Sequence, residues 1–461
     1  MRYFSYNEAW QEGIPKPHRE RRLMPGSFLG FFLSFLILCI NFLPQRFELY
    51  LNDTLGNFPA SYIGILLLFL LLLPKGLKRR RSRNIRVWLM LLCMTLFSSV
   101  LSLTYNYLGR NGGVKPLGHQ ILSLVYLYVP ILLAPITYWI AVSCRVFNRL
   151  INIFLIIVFG HAVFALLQLG FGPLMTGYLG WDLPVFSNPR AHSSLIGGTG
   201  PLSFLLLLGV PLFFFEYLRQ GGNKAVGFSV SIVALIYTYS RLPIVFCGCC
   251  ILGFCFHCLS TRQAKMLKRR LKLVIIIILP VLVGIFVVQT GYNLNYLARK
   301  NVNDADSARM TSGKIAAKLC MNKPFAGYGP GNIYIRKYEE SNDKQIVIEN
   351  MESLKTPHNF YLLIAAEHGA ICLLLWVVFM MYLLKLISPF SKSGSKNLMS
   401  VTFFIPIIAF YVASFFTDTL AIQYRMTPTF WYFVGLALAH KKLFMPSVVN
   451  GRDISKKIKA V

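Results

Sequence analysis

Apolar residues come in long blocks, and polar, mostly basic turns separate them. Twelve blocks can be marked out, at residues 27–44, 58–74, 87–108, 120–141, 149–170, 199–217, 224–240, 243–260, 272–290, 358–384, 399–417 and 427–440. Most are close to the roughly 17–25 residues that a helix needs to cross a bilayer. The pattern predicts an all-α polytopic membrane protein with about twelve transmembrane helices. The blocks on either side of Ser240 and Arg241 are separated by only a few residues. The one long polar interval, residues 291–357, is expected to fold as short helices over the membrane surface, with an amphipathic helix at 307–321 around KIAAKL. Connections of this length are usually functional or disordered. Three regions follow: an N-terminal helix bundle at 1–220, a core at 221–390 that includes the long loop, and C-terminal helices with a basic tail at 391–461.

Composition agrees with this picture. The 461 residues are 55% hydrophobic and only 14% charged, against about a quarter charged in soluble domains. The first apolar run follows a long mixed segment with no small-residue cleavage site, so it is expected to stay as a transmembrane helix. The net charge of +30 would suggest nucleic acid in a soluble protein. Here the basic residues sit in the turns, where they favour anionic headgroups and fix orientation, and no nucleic-acid-binding motif accompanies them. With the N-terminus placed in the cytoplasm, 31 of the 47 Lys and Arg fall in cytoplasmic segments and 16 outside, ten of these in the long loop. Long loops are discounted in this rule, so the short loops support cytoplasmic termini and an extracytoplasmic loop 291–357. The cysteine-rich CGCCILGFCFHC at 247–258 has no polar flank and is expected to pack against neighbouring helices.

On this topology the chemistry gathers at the outer side. His358 and Asn359 open an apolar block in KTPHNFYLLIAAEHGA, with Pro357 at an early helix position and Gly369 on the same helical face. Glu367 would be costly inside the span unless paired or protonated. Arg190 and His192 precede a span in NPRAHSSLIGGTG, Arg241 lies at a hairpin in YTYSRLP, and Arg309 opens the predicted loop helix in DADSARM. Arginine binds phosphate in a fork geometry, so these guanidinium groups could hold a diphosphate at headgroup depth; each alone could equally snorkel to the interface. A histidine titrating near neutrality suits base catalysis on a hydroxyl. NKPFAGYGPGN at 322–332 lacks the order of a nucleotide-binding loop. Its turn could shape a saccharide cleft through Tyr328, Gly327, Gly329 and Gly331. Asp304 and Asp306 form an isolated pair that could bind a divalent cation.

From about Ser240 to Lys385 the motifs resemble the O-antigen polymerase and ligase superfamily (Wzy/WaaL-like): the SR pair, the arginine of the loop, the Pro/Gly turn, and HNFYLLIAAEHGA leading into a span. The upstream NPRAHSSLIGGTG is a weaker match. The resemblance implies a metal-independent, inverting membrane glycosyltransferase without cofactor. It would move a glycan from an undecaprenyl-diphosphate carrier to an acceptor hydroxyl on the outer face of the bacterial inner membrane. The acceptor would be another carrier-linked glycan (polymerase) or the lipid A core (ligase), and a chain-length regulator is a further expected partner. His358 matches the family's histidine and Asn359 the small polar residue beside it. Arg309, Arg241 and Arg190 match its arginine regions, and Pro324, Phe325 and the three glycines match its turn. Cys372 stands where ligases carry a second glycine. A flippase is the alternative from another class, and the absence of an inverted pair of Gly/Pro-broken helices weakens it.

Overall fold

In a computed structural model the described residues are 24–42, 48–50, 57–78, 83–108, 116–141, 143–179, 199–238, 240–260, 301–333, 357–389, 398–417 and 426–444. They are helical except for a small antiparallel hairpin, β1 (Glu48–Tyr50) with β2 (Asn57–Pro59), in which Leu49 pairs with Phe58. The helices are α1 (Met24–Phe42), α2 (Ala60–Lys78), α3 (Arg83–Leu108), α4 (Leu117–Tyr128), α5 (Leu133–Ile140), α6 (Cys144–Leu179), α7 (Thr199–Gln220), α8 (Lys224–Tyr237), α9 (Arg241–Ser260), α10 (Asn301–Asn322), α11 (Phe360–Ile387), α12 (Leu398–Ala413) and α13 (Met426–Phe444).

Every apolar block falls on described helix except 272–290, which lies outside the described residues. By length and composition, five stretches suffice to cross a membrane: Asn84–Leu108, Leu117–Ile140, Cys144–Gln168, Gly200–Gln220 and Phe360–Ile387. Five shorter apolar helices accompany them. The block at 120–141 is not one regular helix. Pro130, which has no N–H to donate, opens a 3₁₀ turn (Pro130–Leu132) between α4 and α5. Thr238 ends α8, its hydroxyl accepting a hydrogen bond from Ser240 N at 3.3 Å, and α9 starts at Arg241.

The core lies between α7 and α13. Residues Met426–His440 of α13 are buried on every side, as expected for a helix hydrophobic all round. α13 packs on α5, where Gly435 comes against Thr137 and the Ala134 backbone. α7 packs on α8, α9 and α12. Cys247 and Cys250 are buried on α9, which packs against α7 and α12. By contrast α3 and α11 expose rows of large apolar side chains: Met90, Met94, Phe97 and Leu101 on one, and Ile371, Leu374, Val378 and Met381 on the other. The bundle turns these rows outward, as lipid contact requires.

Candidate functional site

The polar residues of α3 fall into register. Thr95, Ser99, Ser102 and Asn106 follow one another by three or four positions, so they share one face, and all four are buried. That face meets α11. Ser99 Oγ lies 3.3 Å from Cys372 Sγ and 2.7 Å from Tyr128 Oη. Ser102 donates to the carbonyls of Glu367, at 3.0 Å, and Ala326. Asn106 Nδ2 donates to Gly327 O at 3.1 Å.

Serine and asparagine reach backbone carbonyls here because α11 is broken. Gly369 has φ 85° and ψ 169°, a region essentially reserved for glycine. A straight helix would separate residues 360 and 376 by about 24 Å, yet the Phe360 and Trp376 rings are 5.4 Å apart. The chain therefore folds back at Gly369. One short arm, 360–368, meets a second arm, 370–387, at a sharp elbow. This corrects the expectation of one continuous span from 358. It also corrects the placing of His358 on the helical face of Gly369, because the helix begins two residues after the histidine.

The Pro/Gly turn fills the elbow. Ala370 N donates to Pro324 O at 2.6 Å, Tyr328 N to Ala366 O at 2.9 Å and Gly329 N to Glu367 O at 2.8 Å. At Gly327 (φ 62°) and Gly369 the two backbones approach so closely that a β-carbon on either would overlap the other strand of the elbow. Gly329 lies against Gln120 and Asn332, and Gly331 against Ser123. Tyr328 is buried with Ala316 and Leu319 of α10 and Leu363 and Ala366 of the short arm, and Lys323 Nζ sits 4.8 Å from its ring centre. The turn thus docks into the membrane helix rather than resting on the membrane surface. Glu367 is paired: its Oε1 accepts from Ile333 N at 3.4 Å, and its Oε2 lies 3.9 Å from His368 Nε2.

His358 sits at the other end of the short arm. Asn359 is the N-cap; its side-chain oxygen accepts from Leu362 N at 3.0 Å, so the amide nitrogen is the part left to meet the histidine or a ligand. His358 is half-buried with φ 48°. Among the described residues no other non-glycine side chain has positive φ. Phe360 N donates to Ser414 O at 2.9 Å and Thr417 O at 3.1 Å, which pins the histidine beside the end of α12.

Arg241 is brought to this end of the bundle by its backbone. α7, α8 and α9 run up and down through short turns, so α7 and α9 start at the same end. Phe204 near the start of α7 packs on Phe410 near the end of α12, with ring centres 5.1 Å apart. Arg309 lies on α10, whose later turns pack on the short arm. The helix spans Asn301–Asn322, longer than the 307–321 expected. On it Cys320 Sγ lies 3.8 Å from Leu362 O, and burial pushes the thiol up to about 11. The side chains of Arg241, Arg309, Asp304 and Asp306, and all of Arg190 and His192, lie outside the described residues.

Ser102, Asn106 and Glu367 as a dock for the turn were not singled out from sequence. The spacing of Thr95, Ser99, Ser102 and Asn106 inside an apolar block was the signal that could have found the first two.

The fold and this junction define a multispanning helical membrane protein whose Pro/Gly turn is locked into a broken helix beside a strained histidine. Residues 226–377, about a third of the chain, with the elbow and His358 included, match the family model described as O-antigen ligase (Wzy_C). No curated protein matches the chain.

Proposed function

We propose that the chain transfers a glycan from an undecaprenyl-diphosphate carrier to an acceptor hydroxyl at the outer face of the bacterial inner membrane, as an O-antigen or related polysaccharide polymerase. The observation that carries this reading is His358, a non-glycine residue held at φ 48° within the matched domain. A backbone conformation costing of order 1–3 kcal/mol persists where the surroundings enforce it, and such positions cluster at active sites. His358 takes the proton from the acceptor hydroxyl or orients it. Arg190, Arg241 and Arg309 stabilise the charge that develops on the departing diphosphate. Asn359 holds the histidine or the sugar, and Tyr328, Gly327, Gly329 and Gly331 form the turn bordering the glycan. The hydroxyl attacks the anomeric carbon as the bond to the diphosphate breaks, so configuration inverts and no metal is needed. The N- and C-termini are cytoplasmic, and the bundle crosses the membrane about twelve times.

Replacing His358 with alanine tests this. Long polysaccharide chains are expected to vanish from a gel of surface glycans at unchanged protein abundance; unchanged banding overturns the proposal. Single repeat units left on the lipid A core would identify a polymerase. A bare core with carrier-linked polymer accumulating would identify the ligase alternative, which Cys372 in place of the second ligase glycine disfavours.

A further inference from the structure

The elbow fixes the depth of the docked turn. The second arm of α11, 370–387, has 18 residues and measures about 27 Å, close to the ~30 Å hydrocarbon thickness. Its first residues must therefore lie near the outer edge of the hydrocarbon. Ala370 N holds Pro324 O there. Ser102 holds Ala326 O from α3, between lipid-facing Leu101 and the exposed Tyr105 and Tyr107, residues of the type that mark a membrane interface.

At this depth Phe325 is 73% exposed, and Met321, four residues earlier, is 73% exposed. Together with Leu101 on one side and Ile371 and Leu374 on the other they continue the apolar surface of α3 and α11. A second observation points the same way. Irregular backbone in hydrocarbon needs its polar groups satisfied, and most of this turn's backbone groups on either side of Phe325 are. Pro324 and Pro330 carry no N–H. Gly327 N bonds Lys323 O, Tyr328 N bonds Ala366 O, and Gly329 N bonds Glu367 O. The carbonyls of Pro324, Ala326, Gly327, Tyr328 and Gly329 all accept hydrogen bonds, the last two from Asn332.

We propose that the tip of this turn is inserted into the outer leaflet, with Phe325 and Met321 in contact with the acyl chains of bulk lipid. The turn is then a re-entrant membrane element of the outer loop. This assignment stands apart from the glycosyl-transfer reading and needs no substrate.

A photoreactive benzophenone amino acid placed at 325 tests it in native membranes, with position 374 as the lipid-facing reference and position 223, in the exposed turn before α8, as the aqueous one. Irradiation followed by mass spectrometry is expected to give phospholipid adducts at 325 as at 374, and none above background at 223. Lipid adducts at 374 with none at 325, or crosslinks from 325 only to the chain itself, overturn the proposal. If the 325 variant does not accumulate, position 321 carries the same expectation.

Discussion

Gly369 combines two demands that no other residue meets. Its φ of 85° and ψ of 169° exclude a side chain on conformational grounds, and the Phe325 carbonyl occupies the place where a β-carbon would stand. Gly369→Ala is therefore expected to cost more than the ~1–3 kcal/mol of backbone strain alone, because the turn must also withdraw. The measurable result is a sharp fall in folded, detergent-extractable protein, whereas Gly313→Ala, on α10 with open space around it, leaves the yield unchanged. The histidine is the opposite case: a side-chain-bearing residue kept in a conformation that glycine would adopt freely. His358→Gly should thus relax the backbone yet lose activity, if the ring rather than the turn is what transfer requires.

At the scale of elements, the dock between α3, the turn and the two arms of α11 is held by side chains that reach backbone carbonyls. Asn106→Leu leaves Gly327 O without its donor, a loss of roughly 1–3 kcal/mol for a buried group. That should loosen the turn without unfolding the bundle. Chymotrypsin added to spheroplasts is expected to cut after Tyr328, buried in the docked turn, faster in this variant than in the parent, and equal rates would show the bond to be dispensable. Sequence makes the apolar blocks legible, since crossing a bilayer imposes a length and a composition on every span. It also makes α10 legible, through the spacing of Ala316 and Leu319. It does not show the elbow: FYLLIAAEH and AICLLLWVVF are both good helix on either side of Gly369, and the reversal is stabilised by contacts such as that of Ser102 with Glu367, 265 positions away. Tyr328 is a related case. An aromatic in a Gly/Pro turn suggests a ligand platform, but here the ring closes a small core of its own with Leu319 and Leu363.

For the whole molecule the decisive regularity is charge. By the positive-inside rule, the basic residues concentrated in alternate turns predict which side of the membrane each helix end faces, and with it the side proposed for His358 and Arg241. A green fluorescent protein fused after Val461 is expected to fluoresce, and alkaline phosphatase at the same junction to stay inactive. The reverse pair of results would put the histidine on the cytoplasmic side and remove the lipid-linked substrate from its reach. The bundle's contribution to the site is rigidity: α13 and α7 are buried almost throughout, and the short arm is tied to α12 through Phe360 N.

The stretch 334–356 departs from Ile333, which is bonded to Glu367, and comes back at Pro357, one residue before His358. Ile333 and Pro357 thus stand at opposite tips of a single arm about 12 Å long. Lengthening such an excursion adds little closure entropy, about 0.6 kcal/mol for each doubling. The length of chain between Ile333 and Pro357 can therefore change at little cost while the histidine keeps its place.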